Sequence, residues 1–124
     1  MRACFAAFPL VIEYDMCGIT GILDFVHGGR GDLIDRFTDA VAHRGPDGRG
    51  VYTDGPVSLG HRRLAILDPT PAGACPMHVV CPDGTTVIIT FNGEVYNFLE
   101  LRAELVAAGY RFHTETDTEV VAAA

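Results

Sequence analysis

The sequence predicts an α+β domain in which antiparallel sheets carry a few helices on their outer faces. Short runs rich in β-branched and aromatic residues outnumber stretches with a helical period. Turn dipeptides of the hairpin kind separate several of those runs, as at Asp54-Gly55-Pro56 and Asp83-Gly84. Only three stretches suit helices: residues 32–42, residues 97–108 and the segment from Asp117 onward. With 124 residues, 48% of them hydrophobic and 20% charged, the chain is long enough and apolar enough for one domain with a real core.

In order, Gly18 to Phe25 reads as an isoleucine-rich strand and His27 to Asp32 as a glycine loop. Asp32 is the expected N-cap of a helix to about Ala42, with Leu33, Ile34, Phe37 and Val41 on its apolar face. His43-Arg44-Gly45-Pro46-Asp47-Gly48 breaks it. Val51 to Thr53, Val57 to His61 and Leu64 to Leu67 follow as strands, with Arg62 and Arg63 between the last two. A proline-rich loop from Asp68 to Pro82 contains a short Val79-Val80 run. Thr85 to Phe91 is the strongest strand candidate. The helix over 97–108 places Phe98, Leu101 and Leu105 on one face and closes at Gly109. Tyr110 to Thr114 reads as a strand before the last helix, for which Asp117 is a candidate N-cap.

Composition excludes several classes. The net charge is −7, all nine basic residues are arginines, and no basic stripe alternates with aromatics, which argues against nucleic acid. No segment reaches the roughly 20 apolar residues of a membrane span. The cysteines are Cys4, Cys17, Cys75 and Cys81. Ala3 to Ile12 is apolar behind Arg2, but no small-residue cleavage site follows, so reduced thiols in a cytoplasmic protein are expected. Residues 1–15 read as an N-terminal extension from a start codon assigned too early. At the other end, the chain stops at Ala124 inside a helical composition without a C-cap and reads as a fragment.

Met16-Cys17 carries the main chemical expectation. A chain started at Met16 and trimmed of it would begin with Cys17, placing a thiol and a free α-amine on one carbon. An α-amine with a pKa of about 7.7–8.0 can move a proton near neutral pH. Such a residue is a self-contained nucleophile. Singly, the other candidates have plain structural explanations: Cys17 as a small buried hydrophobe, Arg62-Arg63 as a solvated pair, Asn92-Gly93 as a turn. Cys75, His78 and Cys81 lie close in sequence, but three potential ligands on a proline-broken loop without a fourth do not make a zinc site, and no metal is expected.

Five segments taken together say more. Cys17-Gly18-Ile19-Thr20-Gly21, the 43–48 segment, His61-Arg62-Arg63-Leu64-Ala65-Ile66, Phe91-Asn92-Gly93-Glu94-Val95-Tyr96-Asn97 and Thr116-Asp117-Thr118-Glu119-Val120 occur in that order. The set resembles the N-terminal glutaminase domain of glutamine-hydrolysing asparagine synthetases, a class II glutamine amidotransferase domain of the N-terminal-nucleophile hydrolase type. The resemblance runs from Met16 to the end and implies an αββα sandwich, here a partial domain over 16–124.

The resemblance implies Cys17 as nucleophile and Asn92 with Gly93 as the oxyanion hole, where only glycine lets the backbone approach so closely. It implies Arg63 on the glutamine α-carboxylate, Asp117 on its α-ammonium with Glu94 nearby, and Leu64, Ala65, Ile66 and Leu67 as a wall of the pocket. Glutamine would be hydrolysed to glutamate and ammonia through a γ-glutamyl thioester. The ammonia would pass to a C-terminal synthetase domain, where ATP and Mg activate aspartate. No cofactor is implied for the fragment itself. A homodimer is compatible with the resemblance. Two alternatives stand beside it: a related amidotransferase with another acceptor, and a non-catalytic glutamine-binding domain if Cys17 stays blocked. Cys75, where relatives often have glutamine, and Thr116, in place of a usual serine, depart from the pattern.

Overall fold

The computed structural model describes residues 16–124. The expected extension over residues 1–15, including Cys4, lies outside the described residues. The elements in chain order are β1 (Gly18–Leu23), α1 (Gly31–Ala40), β2 (Gly48–Asp54), β3 (Val57–Arg63), β4 (Met77–Val80), β5 (Thr86–Ile89), α2 (Phe98–Ala107) and α3 (Asp117–Ala123). Sheet order is β1-β3-β2 in one sheet and β4-β5 in the other, and every pairing is antiparallel. The predicted α+β class with antiparallel sheets is what forms.

The pleat sorts side chains into layers. Gly18, Thr20 and Ile22 of β1, with Ser58 and Gly60 of β3, face α1. Ile34 and Thr38 of α1 are fully buried there, and the Thr38 hydroxyl lies 3.1 Å from that of Thr20. Gly60 sits directly beneath that pair, and a Cβ on it would overlap the Thr38 hydroxyl, so the helix approaches this closely only over glycine. Arg62 reaches across from β3 to the Thr38 carbonyl at 3.2 Å and to Asp39, while Arg49 binds Asp39 at 3.0 Å and Asp35. Arg62 is therefore a helix clamp rather than half of a solvated pair. The opposite face meets the second sheet: His61 bonds Thr90 at 2.9 Å, and the Tyr52 ring meets the His78 ring edge-on at 5.2 Å. Met77 and Val79 point the other way, into a core with Cys75 and Tyr110 that Ile89, Leu105, Phe112 and the end of α3 complete. The layers thus run α1, first sheet, second sheet, α2 with α3.

Several expected elements form otherwise. Leu64 to Leu67 is not a strand; β3 ends at Arg63 and the chain turns away, because Asp47 takes the Ala65 amide at 2.9 Å. Tyr110 to Thr114 joins no sheet, although its burial alternates as a strand's would. Its amides at His113 and Thr114 are bound instead by the Glu119 carboxylate at 2.7–3.1 Å. Asp32 lies inside the first turn of α1 rather than capping it, while the preceding Arg30 amide donates to Ser58 at 2.9 Å. Thr116, not Asp117, caps α3, accepting from the Glu119 amide at 3.3 Å. Phe37 is 47% exposed; the buried stripe of α1 runs through Ile34 and Thr38, so hydrophobicity alone misplaced one side of the helix.

Other expectations match closely. Asp83-Gly84 closes the β4–β5 hairpin, with the Gly84 amide on the Cys81 carbonyl at 2.9 Å. Gly109, at φ 98°, follows α2, whose last carbonyls accept from Gly109 and Tyr110 in the paired pattern of a Schellman turn.

The burial difference along α1 predicts a mutational contrast. Ile34→Ala is expected to lower unfolding free energy by about 2–4 kcal/mol, and Phe37→Ala by less than about 1 kcal/mol, as read from urea transitions. Equal losses would mean that α1 packs by its other face.

Candidate active site

Cys17 precedes the first rung of the β1–β3 ladder, Gly18 opposite Arg62, so the antiparallel register brings it beside the end of β3. The Leu64 amide donates to its sulfur at 3.3 Å, and the thiol faces the Leu64 carbonyl at 3.5 Å. Arg44, in the short turn after α1, donates Nε to the Cys17 carbonyl at 3.2 Å. Side chain and backbone of Cys17 are thereby held from two different segments.

A hollow of about 400 Å3 opens beside this thiol. Ligand pockets of small molecules begin near that size. Of the residues singled out from the sequence, Cys17, Arg63, Leu64, Ile66, Leu67, Asn92, Gly93, Glu94 and Asp117 all border it. Ala65 does not, because its amide is turned to Asp47. Chain segments distant in sequence thus converge on one cavity.

Arg63 is held before any ligand arrives. Its guanidinium donates to the carbonyls of Leu67 at 3.3 Å, Thr70 at 2.8 Å and Asp68. Gly73 is buried against it, and a Cβ there would collide with the guanidinium. Three of the five N–H donors are engaged; Nε–H and one terminal N–H find no acceptor among the described residues. Asp117 is 5% exposed and accepts from the Val95 amide at 2.9 Å, which ties the Asn92–Val95 turn to the first residue of α3. A Cβ at Gly93 would sit 2.8 Å from the tip of the Phe91 ring, so a side chain there would have to displace that ring. Glu119, 3% exposed, accepts from His113, from the Thr114 amide and from the Thr114 hydroxyl at 2.8 Å, fixing the approach to α3.

His61 and Cys75 also border the hollow and were given no role from the sequence. His61 is 2% exposed, and its Nδ1 lies 2.9 Å from the Thr90 hydroxyl, which donates onward to the Gly60 carbonyl at 3.5 Å. Burial, followed by the positive charge of Arg63, pushes the imidazole pKa down to about 4, so the ring is neutral at ordinary pH. Burial likewise raises the Cys75 thiol and keeps it protonated. The signal for His61 was its place two residues before Arg63 on one strand, which puts both on the same face. Cys75, His78 and Cys81 do not converge; among the described residues no three metal-ligating side chains gather, and Cys17, Cys75 and Cys81 are free thiols. Among the described residues no helix is long and apolar enough to cross a membrane.

A thiol, a guanidinium held by three backbone carbonyls and a buried carboxylate thus border one cavity. Residues 16–124 match the glutamine amidotransferase domain family, and the chain belongs to it. Among curated relatives, it is 40% identical over 112 residues to asparagine synthetase [glutamine-hydrolyzing] 1 of Bacillus subtilis, covering 87% of this chain and 17% of that protein. It is 43% identical over 108 residues to asparagine synthetase [glutamine-hydrolyzing] 3 of the same organism, covering 86% and 17%. With asparagine synthetase [glutamine-hydrolyzing] of Zea mays the figures are 39% over 110 residues, 86% and 18%. The chain therefore spans under a fifth of the length of these relatives.

The buried neutral imidazole predicts a pH dependence. An unfolded histidine titrates near 6.5, whereas His61 in the fold titrates near 4. Between those values the unfolded chain binds the extra proton, so stability is full above about pH 6.5, declines as pH falls toward 4, and loses nothing further from this residue below that. The full loss is on the order of 3 kcal/mol. Urea midpoints measured across that window should fall less steeply in His61→Gln than in the wild type.

Proposed function

We propose that this chain is the glutaminase half of a glutamine-hydrolysing asparagine synthetase, with an N-terminal-nucleophile αββα fold of the class II amidotransferase type. The observation that carries it is the shared cavity: the Cys17 thiol, the Arg63 guanidinium and the Asp117 carboxylate all border one hollow. The relatives' names and the family match support the same substrate.

Glutamine binds with its α-carboxylate on the free donors of Arg63 and its α-ammonium on Asp117, with Glu94 alongside. The side-chain carboxamide then points toward Cys17. The sulfur attacks the carboxamide carbon, and the oxyanion rests on the Asn92 side-chain amide and the Gly93 N–H. The α-amine of Cys17 takes the thiol proton and passes it to the departing nitrogen, releasing ammonia. Water, activated by the same amine, hydrolyses the γ-glutamyl thioester to glutamate and regenerates the thiol. His61 is a poor base: burial pushes its pKa down to about 4, so it holds a proton far less firmly than an α-amine does. The ammonia would serve a synthetase domain that uses ATP and magnesium to amidate aspartate.

The α-amine can act only when no residue precedes Cys17. In this sequence Met16 does, and it borders the same hollow. This favours, as a second reading for the untrimmed chain, a glutamine-binding domain without turnover. Intact-mass measurement, run beside an assay of ammonia release, separates the two states: activity belongs to protein beginning at Cys17, and turnover by a chain retaining Met1 would refute the amine mechanism.

Cys17→Ala in the trimmed protein should abolish ammonia release while leaving the circular dichroism spectrum unchanged. Asn92→Ala should lower kcat by about 10²–10³-fold, equivalent to about 2.7–4 kcal/mol of lost oxyanion stabilisation. Arg63→Lys should raise the KM for glutamine by about tenfold or more, because an ammonium cannot reproduce the planar fork. An unchanged KM would place the carboxylate elsewhere.

A further inference from the structure

Asp68 lies beyond the end of β3 and outside the residues bordering the hollow, yet it touches both sides of the binding arrangement. Its carbonyl accepts from the Arg63 guanidinium. Its carboxylate accepts from the Thr70 amide at 3.2 Å through Oδ1, together with the Thr70 hydroxyl, which closes the turn whose carbonyls cradle Arg63. The other oxygen, Oδ2, crosses to the Glu115 amide at 3.1 Å, two residues before Asp117. The residue adopts φ 47°, the left-handed region that aspartate enters at some cost and glycine enters freely. The Thr70 hydroxyl, followed by the Glu115 amide, holds its carboxyl below the usual carboxylate range, so it is an ionised acceptor at neutral pH.

Arg63 and Asp117 lie 54 residues apart in sequence, on different layers of the sandwich. They must nevertheless match the fixed spacing of two substituents on a single α-carbon. Among the described residues, Asp68 is the one bonded both to the cradle of the first and to the segment leading into the second. We propose that Asp68 is a positioning residue that sets the distance between Arg63 and Asp117 and so makes the site selective for an intact α-amino-acid head group over an acid lacking the α-amine. This rests on the glutamine reading given above.

The consequence is measurable without turnover. In the full chain carrying Cys17→Ala, calorimetric Kd values are compared for L-glutamine and for glutaramate, which is glutamine without its α-amine. Asp68→Asn keeps an oxygen for the Thr70 turn but presents an NH2 group to the Glu115 amide, cutting the crossing bond alone. Asp68→Gly removes all three carboxylate hydrogen bonds while tolerating the positive φ. The Kd for glutamine should rise about tenfold in Asp68→Asn and at least as much in Asp68→Gly, while the Kd for glutaramate in Asp68→Asn moves by less than about twofold. The preference of the wild type for glutamine over glutaramate then falls by about the same tenfold factor. A preserved preference in Asp68→Asn, or equal weakening of both ligands alongside a lowered thermal midpoint, would overturn the positioning role and leave the glutamine site standing. Failure of the Asp68-intact protein to bind glutamine at all would overturn both.

Discussion

The pairing of β1 with β3 is the constraint on which the site depends. Because the strands run antiparallel with Gly18 opposite Arg62, the residue before β1 and the residues closing β3 must meet. One register therefore places the Cys17 sulfur on the Leu64 backbone and the Arg63 side chain on the face that carries His61. A slip of one residue would send Arg63 toward α1 and remove it from the cavity. The α1 side locks that register: Thr20, Gly60 and Thr38 interdigitate with no space for a Cβ, and Arg62 and Arg49 hold the helix from the same sheet face.

The far side of the cavity is built on different physics. Among the described residues, neither Asp117 nor the Asn92–Val95 turn takes part in a strand pairing. Buried carboxylates acting as backbone acceptors hold them instead. Glu119 collects the amides of His113 and Thr114, and Asp117 takes that of Val95. Burying such groups is tolerable only because each oxygen finds donors, and among the described residues no fully buried side-chain polar atom lacks a partner. The acidic side chains that give the chain its negative charge thus serve partly as internal fasteners around the cavity.

The two halves respond differently to change. On the β1–β3 side, rigidity comes from packing and glycine contacts, which a larger side chain disrupts by collision. On the α3 side it comes from charge-assisted hydrogen bonds, which loss of a carboxylate disrupts by stranding buried amides. The 64–73 segment bridges them without regular structure of its own beyond one short turn, and Arg63 is as much its internal support as a lining of the cavity.

Much of this was legible in the sequence because it depends on local pattern. Periodicity and turn residues gave β1, β5, the Asp83-Gly84 hairpin and the Gly109 stop, and five short segments gave the residues that border the cavity. Tertiary partners decided the rest. Whether Leu64 to Leu67 and Tyr110 to Thr114 become strands depends on who binds their amides, and that turned on the carboxylates of Asp47 and Glu119, one at 18 residues' separation and the other across a turn. The same dependence moved the α3 cap from Asp117 to Thr116, freeing the Asp117 carboxylate to accept from Val95. The sequence by itself determined which chemical groups are available and the period of each element. Their convergence on one hollow, the neutral state of His61 and the bond from Asp68 to Glu115 were decided only by the fold, because burial and long-range hydrogen bonds arise between segments that no local window contains.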